Sequence, residues 1–396
     1  MVARGQGAVW TWNLNLGSIP RFDGVCQAGV PHVDFELMML LTFFALAVVQ
    51  GAATLTPQPA WVTRVDALFA PWDRPDSPGC ALGVIEDGKL VHARGFGSAS
   101  LEHRVPITPQ TVFDIGSTSK QFTAAAIGLL VGENVLGVED EIHDWVPELA
   151  DYGARVTLDH LLHHTSGLPD YLGLMEAAPP DWTTPQDALE ALAKVQRLQF
   201  EPGKKFEYSN TNYFLLSLVA ERASEVTFQE FVRQRILAPL GMTNSLLFHD
   251  HTLVIPHRAT GYDPRQGGGF AVDMSDFEQL GDGAVQTTVE DLVRWDTNFY
   301  SHQVGGEALQ TFMHRTGTLA SGKPLAYARG LFVDSFRGLP RVSHGGAWAG
   351  FRAQLMRFPE QKTSIVCLAN LASMDPNGLC EQVAEVVLGA RMTAGR

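Results

Sequence analysis

Two segments of apolar and polar residues near residue 80 predict a β-hairpin. Residues 80–86 (CALGVIE) and 89–95 (KLVHARG) are rich in residues typical of strands, and Asp87-Gly88 separates them. An Asp-Gly pair between two such runs favours a two-residue turn with positive φ at both positions. We therefore expect two antiparallel strands joined by a tight turn.

The C-terminal part shows further strand patterns, followed by one helix. Apolar runs separated by turn residues predict strands near 326–336, 341–344, 352–358 and 362–369. Apolar positions three and four residues apart over 377–390 predict a closing helix.

Between these ends the apolar spacing becomes helical. Amphipathic or alanine-rich segments predict helices within 121–136, 210–225, 227–240 and 288–300. This order predicts an α+β fold in which both termini build an antiparallel sheet flanked by helices. A mostly helical lobe, roughly 120–325, is inserted between them, and we expect the functional cleft where the two lobes meet.

An uncharged apolar run of 13 residues occupies 37–49 and precedes Ala53. It is shorter than the about 20 residues that a membrane span needs, and it is typical of a signal-peptide core. We expect a leader or non-native extension over 1–53, cleaved after Ala53, and one two-lobed domain over 54–396. Export to the periplasm or medium follows from that interpretation.

Two features of this region, its acidic flank and the 36 residues that precede the run, keep an alternative open. Asp34 and Glu36 stand where a signal peptide usually carries basic residues. Translation from Met38 or Met39 would remove this conflict. The alternative is that the run forms a buried helix, and a cytoplasmic location is then also open.

Composition and charge exclude some functions. The chain has 29 basic and 43 acidic residues, for a net charge of −14, which argues against a nucleic-acid-binding protein. Its four cysteines are too few and too dispersed for a disulfide scaffold or a zinc knuckle. We expect no cofactor and no metal, and the oligomeric state is left open.

The first candidate for chemistry is Ser117-Thr118-Ser119-Lys120, before an alanine-rich helical segment. On the first turn of a helix, Ser117 and Lys120 share a face, so the amine lies beside the hydroxyl. A lysine held there can assist a serine nucleophile, and the helix N-terminus favours developing negative charge. Taken alone, the motif also fits an N-cap serine followed by a solvated lysine.

Two further motifs complete the set. Tyr208-Ser209-Asn210 opens a helical run, and a tyrosine acts as a base only where a nearby cation stabilises its phenolate. His344-Gly345-Gly346-Ala347 ends a predicted strand, where glycines permit close approach of a substrate backbone. Each alone also fits a structural role, as a buried tyrosine with a capping asparagine or as a glycine-rich turn.

The order of the three motifs resembles that of the penicillin-recognising serine hydrolases. This superfamily includes class C β-lactamases, serine D-peptidases and β-lactamase-like carboxylesterases, and its motifs are S-x-x-K, Y-x-N and K-T-G or H-x-G. Residues 161–169 (LLHHTSGLP) and 283–288 (GAVQTT) resemble two supporting segments of the same superfamily. The resemblance covers roughly 60–390.

The resemblance implies a role for each motif residue. Ser117 is implied as the acylated nucleophile, Lys120 as its proton partner and Tyr208 as general base and acid. Asn210 is implied to orient Lys120 and the substrate. The third motif is implied to form one edge of the site through His344, Gly345, Gly346 and Ala347, with the amides of Ser117 and Ala347 as the oxyanion hole.

The third motif departs from the Lys-Thr-Gly of most β-lactamases. His344 replaces the fixed ammonium, and Gly345 removes a hydroxyl that would hold a carboxylate. H-x-G resembles the D-aminopeptidase branch and related esterases. Arg352 is either a substitute cation or a surface arginine, and Trp348 is either a cleft wall or a core residue.

We therefore predict a serine hydrolase acting on a small ester, amide or D-amino-acid peptide. The alternatives are a β-lactamase or D-alanyl-D-alanine peptidase, and a sensor that is acylated without turnover. His160, His163 and His164 resemble a metal cluster in spacing, but zinc needs further ligands and we interpret them as scaffold. Trp295 and Phe299, four residues apart, are expected in the core.

Overall fold

The computed structural model describes residues 59–175 and 182–393. The predicted leader over 1–53, with its apolar run 37–49 and the cleavage after Ala53, lies outside the described residues. Within those described residues, no helix is both long enough and apolar enough to cross a membrane.

The secondary structure alternates short strands with helices. In chain order the strands are β1 (Cys80–Glu86), β2 (Lys89–Phe96), β3 (Ser98–Ser100), β4 (Val105–Pro106), β5 (Phe113–Asp114), β6 (Leu246–Leu247), β7 (Tyr262–Pro264), β8 (Phe270–Val272), β9 (Val285–Thr287), β10 (Phe332–Phe336), β11 (Leu339–Trp348), β12 (Phe351–Phe358) and β13 (Thr363–Ala369). The helices are α1 (Trp61–Phe69), α2 (Lys120–Gly132), α3 (Ile142–Trp145), α4 (Leu158–Leu162), α5 (Pro185–Ala193), α6 (Asn210–Ser224), α7 (Phe228–Val232), α8 (Ala238–Leu240), α9 (Val289–Ser301), α10 (Gly306–His314) and α11 (Pro376–Leu388).

Strands from both ends of the chain form one antiparallel sheet with the order β10-β11-β12-β13-β1-β2. Pairing between β1 and β13 places Leu82 opposite Cys367, so the first strand of the fold closes onto the last. The hairpin turn has φ of 48° at Asp87 and 73° at Gly88, as expected for Asp-Gly. The predicted fold class and hairpin are confirmed.

Two predicted elements differ from the structure. The strand expected over 326–336 begins at Phe332, because Ala328 N donates to Leu331 O at 2.7 Å and Gly330 has φ of 76°, which makes a turn there. The helix expected over 227–240 is divided into α7, a π-helical turn (Arg233–Leu237) and α8, since Pro239 lacks the amide that a regular helix would use.

Helices cover both faces of the sheet. On one face α1 and α11 contact each other and bury Cys80, Cys367 and Cys380, which are free thiols. On the other face α9 packs on β1 and β13, and Trp295 lies edge-on to Phe299 with ring centroids 5.3 Å apart. Both aromatic residues belong to the core, as predicted.

A buried ion pair joins α9 to the sheet. Arg357 Nε donates to Asp296 Oδ1 at 2.7 Å, Ser364 Oγ donates to the same oxygen at 2.8 Å, and the guanidinium lies 3.5 Å from the Phe299 ring centroid. Both charged side chains are almost fully buried. Each buried charge is therefore tolerated in the core only because the opposite charge of its partner compensates it.

Asp296→Ala is expected to lower the free energy of unfolding by about 3–5 kcal/mol, because it leaves the buried Arg357 charge without its partner. Urea denaturation monitored by circular dichroism measures this change. Glu230→Ala, which removes an exposed partner of Arg233, is the control and is expected to move the midpoint little. Equal midpoints for the two variants would contradict the prediction.

Candidate active site

Ser117 lies in a 3-10 turn (Gly116–Ser119) directly before α2. The expectation that it lies within the first α-helical turn is therefore corrected. Gly116 has φ of 47° and its amide donates to Asp114 Oδ1 at 2.7 Å, which tightens the chain as it enters the helix. A tight first turn is common at helix N-termini, and it still brings Lys120 beside Ser117.

Lys120 is fully buried and its Nζ has three hydrogen-bond acceptors. It donates to Ser117 Oγ at 3.0 Å, to Asn210 Oδ1 at 2.8 Å and to the Asp282 carbonyl oxygen at 2.7 Å. Three donated bonds match the three protons of an ammonium group. The arrangement therefore places a fixed cation directly against the Ser117 hydroxyl.

The second motif lies at the start of α6. The Asn210 amide and its Nδ2 both donate to Asp170 Oδ2, at 2.9 and 3.0 Å, which orients the side-chain oxygen toward Lys120. The Tyr208 ring stacks on His164 with centroids 4.3 Å apart, and Lys120 Nζ lies 4.9 Å from the Tyr208 centroid. Among the described residues, the buried Tyr208 hydroxyl has no hydrogen-bond partner.

The third motif crosses directly over the Ser117 turn. Thr118 Oγ1 donates to the His344 carbonyl at 3.3 Å. A Cβ on Gly346 would lie 3.1 Å from Ser117 N, and one on Gly116 would lie 2.8 Å from Ala347 N. The amides of Ser117 and Ala347 thus belong to two backbone segments in close contact. The Ser117 amide is also one of the first N–H groups of its turn, which have no partner within a helix.

His344 is buried and neutral. Its Nδ1 lies 2.6 Å from the Gly345 carbonyl, which only accepts, so Nδ1 carries the proton and Nε2 accepts from Tyr327 Oη at 3.2 Å. Burial, with the nearby Lys120 charge, lowers the pKa of His344 to about 3. The third motif therefore supplies no ammonium at neutral pH.

A cleft of about 580 Å³ opens beside Ser117. Trp348 lines it and donates from Nε1 to Ser275 Oγ at 2.7 Å, so the cleft-wall interpretation is the one observed. Arg352 lies on the other side of the nucleophile, beside His344, in a second and more open pocket. Its Nη1 donates to the carbonyls of Ala349 and Phe351, at 2.8 and 2.6 Å.

Sequence reasoning missed two carboxylates near the nucleophile. Asp170 follows the LLHHTSGLP segment by one residue and holds Asn210. Asp282 directly precedes the GAVQTT segment, and the residue is 91% buried. Their only signal in the sequence is that each adjoins a segment that resembles the superfamily.

The three clustered histidines have structural partners. His160 Nδ1 accepts from Thr157 N at 3.1 Å, and His164 Nδ1 accepts from Ser209 N at 3.2 Å. His163 contacts the carbonyls of Asp159 and Arg315, both at 3.0 Å. These contacts agree with their interpretation as scaffold.

Comparison with known proteins relates this arrangement to one family. The family model described as Beta-lactamase matches residues 65–387. Penicillin-binding protein 4* of Bacillus subtilis (strain 168) is 30% identical over 306 residues, which cover 72% of this chain. A D-aminopeptidase of Gluconobacter oxydans (strain 621H) is 27% identical over 296 residues, or 74% of this chain. The matches span 66% and 56% of the lengths of these two relatives.

Solved structures have the same fold. The octameric penicillin-binding protein homologue from Pyrococcus abyssi is 27% identical with a TM-score of 0.74, over 83% of this chain and 77% of that chain. The D-amino acid amidase from Ochrobactrum anthropi SV3, in complex with L-phenylalanine amide, is 21% identical with a TM-score of 0.71, over 84% of this chain and 100% of that chain. At that identity the amidase shows a common fold only.

Proposed function

We propose that this chain, which belongs to the Beta-lactamase family and to the penicillin-recognising serine hydrolases, hydrolyses ester, amide or D-amino-acid peptide bonds through an acyl-enzyme on Ser117. The observation that carries the proposal is the 3.0 Å contact between Ser117 Oγ and Lys120 Nζ. The same Nζ also donates to Asn210 Oδ1 and to the Asp282 carbonyl, which hold it in place. A solvated lysine, the alternative for this motif alone, would not be fully buried.

In the proposed reaction Tyr208 acts as a phenolate. Ser117 Oγ bonds to the substrate carbonyl carbon while the Ser117 proton passes to the Tyr208 phenolate oxygen. Lys120 is the cation that a tyrosine base requires. The carbonyl oxygen becomes an oxyanion held by the amides of Ser117 and Ala347. The bond to the leaving group then breaks, and the leaving group takes the proton from Tyr208.

Water completes the proposed cycle. Its oxygen bonds to the acyl carbon, its first proton passes to Tyr208, and the ester bond to Ser117 breaks. Ser117 Oγ takes that proton from Tyr208, and the acid leaves with the oxygen and the second proton of the water. Every proton that moves in this scheme passes through the Tyr208 oxygen, which has no other hydrogen-bond partner among the described residues.

The chemistry of the third motif favours ester or D-peptide substrates over β-lactams. His344 is neutral, and the Nη1 group of Arg352 is occupied by the carbonyls of Ala349 and Phe351. A β-lactam carboxylate would therefore lack the lysine ammonium of the Lys-Thr-Gly motif, and Arg352 would meet it with Nη1 already bonded to two carbonyls. The names of the relatives include both a penicillin-binding protein and a D-aminopeptidase, so a direct comparison of substrates is needed.

A side-by-side rate panel tests the proposal. We expect faster turnover of a short-chain nitrophenyl ester and a D-alanyl anilide than of a chromogenic cephalosporin. Mass spectrometry after rapid quenching is expected to find the acyl group on the peptide that contains Ser117, and to show its loss within one turnover. A permanent adduct would indicate a sensor, a faster cephalosporin rate would indicate a β-lactamase, and no adduct would contradict the proposal.

A further inference from the structure

The cleft beside Ser117 contains two buried acceptors without donors. Among residues 59–175 and 182–393, no donor reaches Asp282 Oδ1 or Gln279 Oε1, although both side chains are more than 90% buried and both residues line the cleft. Buried polar atoms in folded proteins almost always have a partner. A pair of unsatisfied acceptors beside a nucleophile therefore points to a ligand that brings donors.

The orientation of both acceptors is set by their other contacts. Gln279 Nε2 donates to the Thr184 carbonyl at 2.8 Å, so its oxygen is the atom left free. Asp282 Oδ2 accepts from Tyr171 Oη at 3.1 Å, which leaves Oδ1. Neither side chain can satisfy its free oxygen by rotating without breaking an existing hydrogen bond.

We propose, on the premise of the serine hydrolase function above, that Asp282 and Gln279 form a subsite for a primary ammonium group on the acyl part of the substrate. An ammonium group provides three donors and a positive charge, and the subsite offers two acceptors, one of them a carboxylate. A neutral alcohol or amide would leave the carboxylate charge uncompensated.

Charges around the subsite favour a cation. Burial raises the pKa of Asp282 to about 6, opposed by the attraction of Lys120 and reinforced by Asp170, so the carboxylate is mostly ionised at pH 7.5. Lys120 is the cation that acts on Asp282, and Asp170 is a second carboxylate near it. Lys120 Nζ already donates three hydrogen bonds, to Ser117, Asn210 and the Asp282 carbonyl, so it has no proton left for Asp282 Oδ1, and that oxygen is left for a substrate ammonium.

The reach and walls of the cleft fit an acyl group of amino-acid size. Lys120 Nζ contacts both Ser117 Oγ and the Asp282 carbonyl, so one ammonium group separates the nucleophile from the subsite residue. Four aromatic side chains line the same cleft, namely those of Tyr171, Phe248, Phe277 and Trp348. Aromatic rings attract cations and bury apolar side chains, so an aromatic or large apolar amino acid suits this cleft.

Calorimetric binding to Ser117→Ala tests the subsite without turnover. The ligands are D- and L-phenylalaninamide and the uncharged analogue 3-phenylpropanamide, which lacks only the amine. We expect the better enantiomer to bind about 10- to 100-fold more tightly than the analogue at pH 7.5, the range for a charge-assisted hydrogen bond. In Ser117→Ala/Asp282→Asn this ratio is expected to fall to about threefold or less.

Asp282→Asn removes the charge but keeps an oxygen for Tyr171, and the backbone carbonyl that holds Lys120 is unchanged. The matched control is Asp114→Asn, a buried carboxylate of the same cleft whose two oxygens already accept from Gly116 N and Gln286 Nε2. The ratio is expected to persist in this control. A ratio near one in Ser117→Ala, or an equal ratio with and without Asp282, would overturn the subsite.

Two further measurements keep the test decisive. Should Asp282→Asn fail to fold, as judged by its melting curve, Gln279→Met replaces it and is expected to lower the same ratio. The acyl-adduct experiment on the wild-type enzyme reports independently on the hydrolase function. Adduct formation without ammonium preference would overturn the subsite alone, and ammonium preference without an adduct would overturn the hydrolase proposal alone.

Discussion

Ser117→Ala is expected to lower kcat/KM for an activated ester by at least about 10⁴-fold, the size of loss seen when a serine nucleophile is removed from other hydrolases. The substitution removes one hydroxyl, and Lys120 keeps its bonds to Asn210 Oδ1 and the Asp282 carbonyl. The melting temperature is therefore expected to stay close to that of the wild type. Stopped-flow absorbance and thermal melting measure the two effects.

Ser119→Ala is the matched control for this loss. Its hydroxyl is two residues away in the same turn, is buried, and accepts from Val285 N at 3.1 Å without lining either cleft described above. The variant is expected to lose stability, because Val285 N becomes an unsatisfied buried donor, and to keep turnover within a few-fold. A Ser117→Ala enzyme that retained a tenth of the wild-type rate would exclude Ser117 as the nucleophile.

The sequence predicted which motif residues come together, because their order and spacing are specific as a set. Ser117, Lys120, Tyr208 and Asn210 meet around one ammonium group, although 90 residues separate Lys120 from Asn210. The S-x-x-K pair is local and follows from the spacing alone. The approach of Asn210 was predictable only through the resemblance, since no local pattern encodes a contact over that distance.

The state of His344 could not be predicted in the same way. The sequence identifies a histidine in place of a lysine, but its charge depends on burial and on the hydroxyl of Tyr327, which lies on another segment. Desolvation penalises the charged imidazole, so this histidine is a neutral hydrogen-bond acceptor. It does not replace the positive charge of the lysine found at this position in most β-lactamases. The departure seen in the third motif thus removes the cation that a lysine would place there, while Lys120 still supplies the cation beside Ser117.

The role of Asp282 in the proposed substrate subsite could not be predicted from the sequence either. Nothing in the sequence distinguishes its carboxylate from that of a surface loop, because Gly281 and Gly283 beside it are typical of turns. Its significance depends on burial next to Lys120, a contact between residues 162 positions apart. A buried polar atom without a hydrogen-bond partner can be recognised only in the structure, because the residues around it decide whether it has a partner.

Gly346→Ala is expected to lower kcat by about 10²- to 10³-fold, the cost of losing an oxyanion-hole donor. A Cβ at this position would lie 1.9 Å from the Ile115 carbonyl oxygen and 3.1 Å from Ser117 N, both of them backbone atoms. Strand β11 must therefore move away from the Ser117 turn, and the amide of Ala347 moves with it. Single-turnover kinetics with an activated ester measure the acylation step directly.

Gly345→Ala is the matched control, because it adds the same methyl group one residue earlier on the same strand. Its Cβ would meet Gln354 Oε1 at 2.7 Å, the end of a flexible side chain that can rotate away. We expect a loss below about tenfold, since the strand keeps its contact with the Ser117 turn and both oxyanion amides stay in place. Equal acylation rates for the two variants would show that the contact of Gly346 with Ile115 does not position the oxyanion hole.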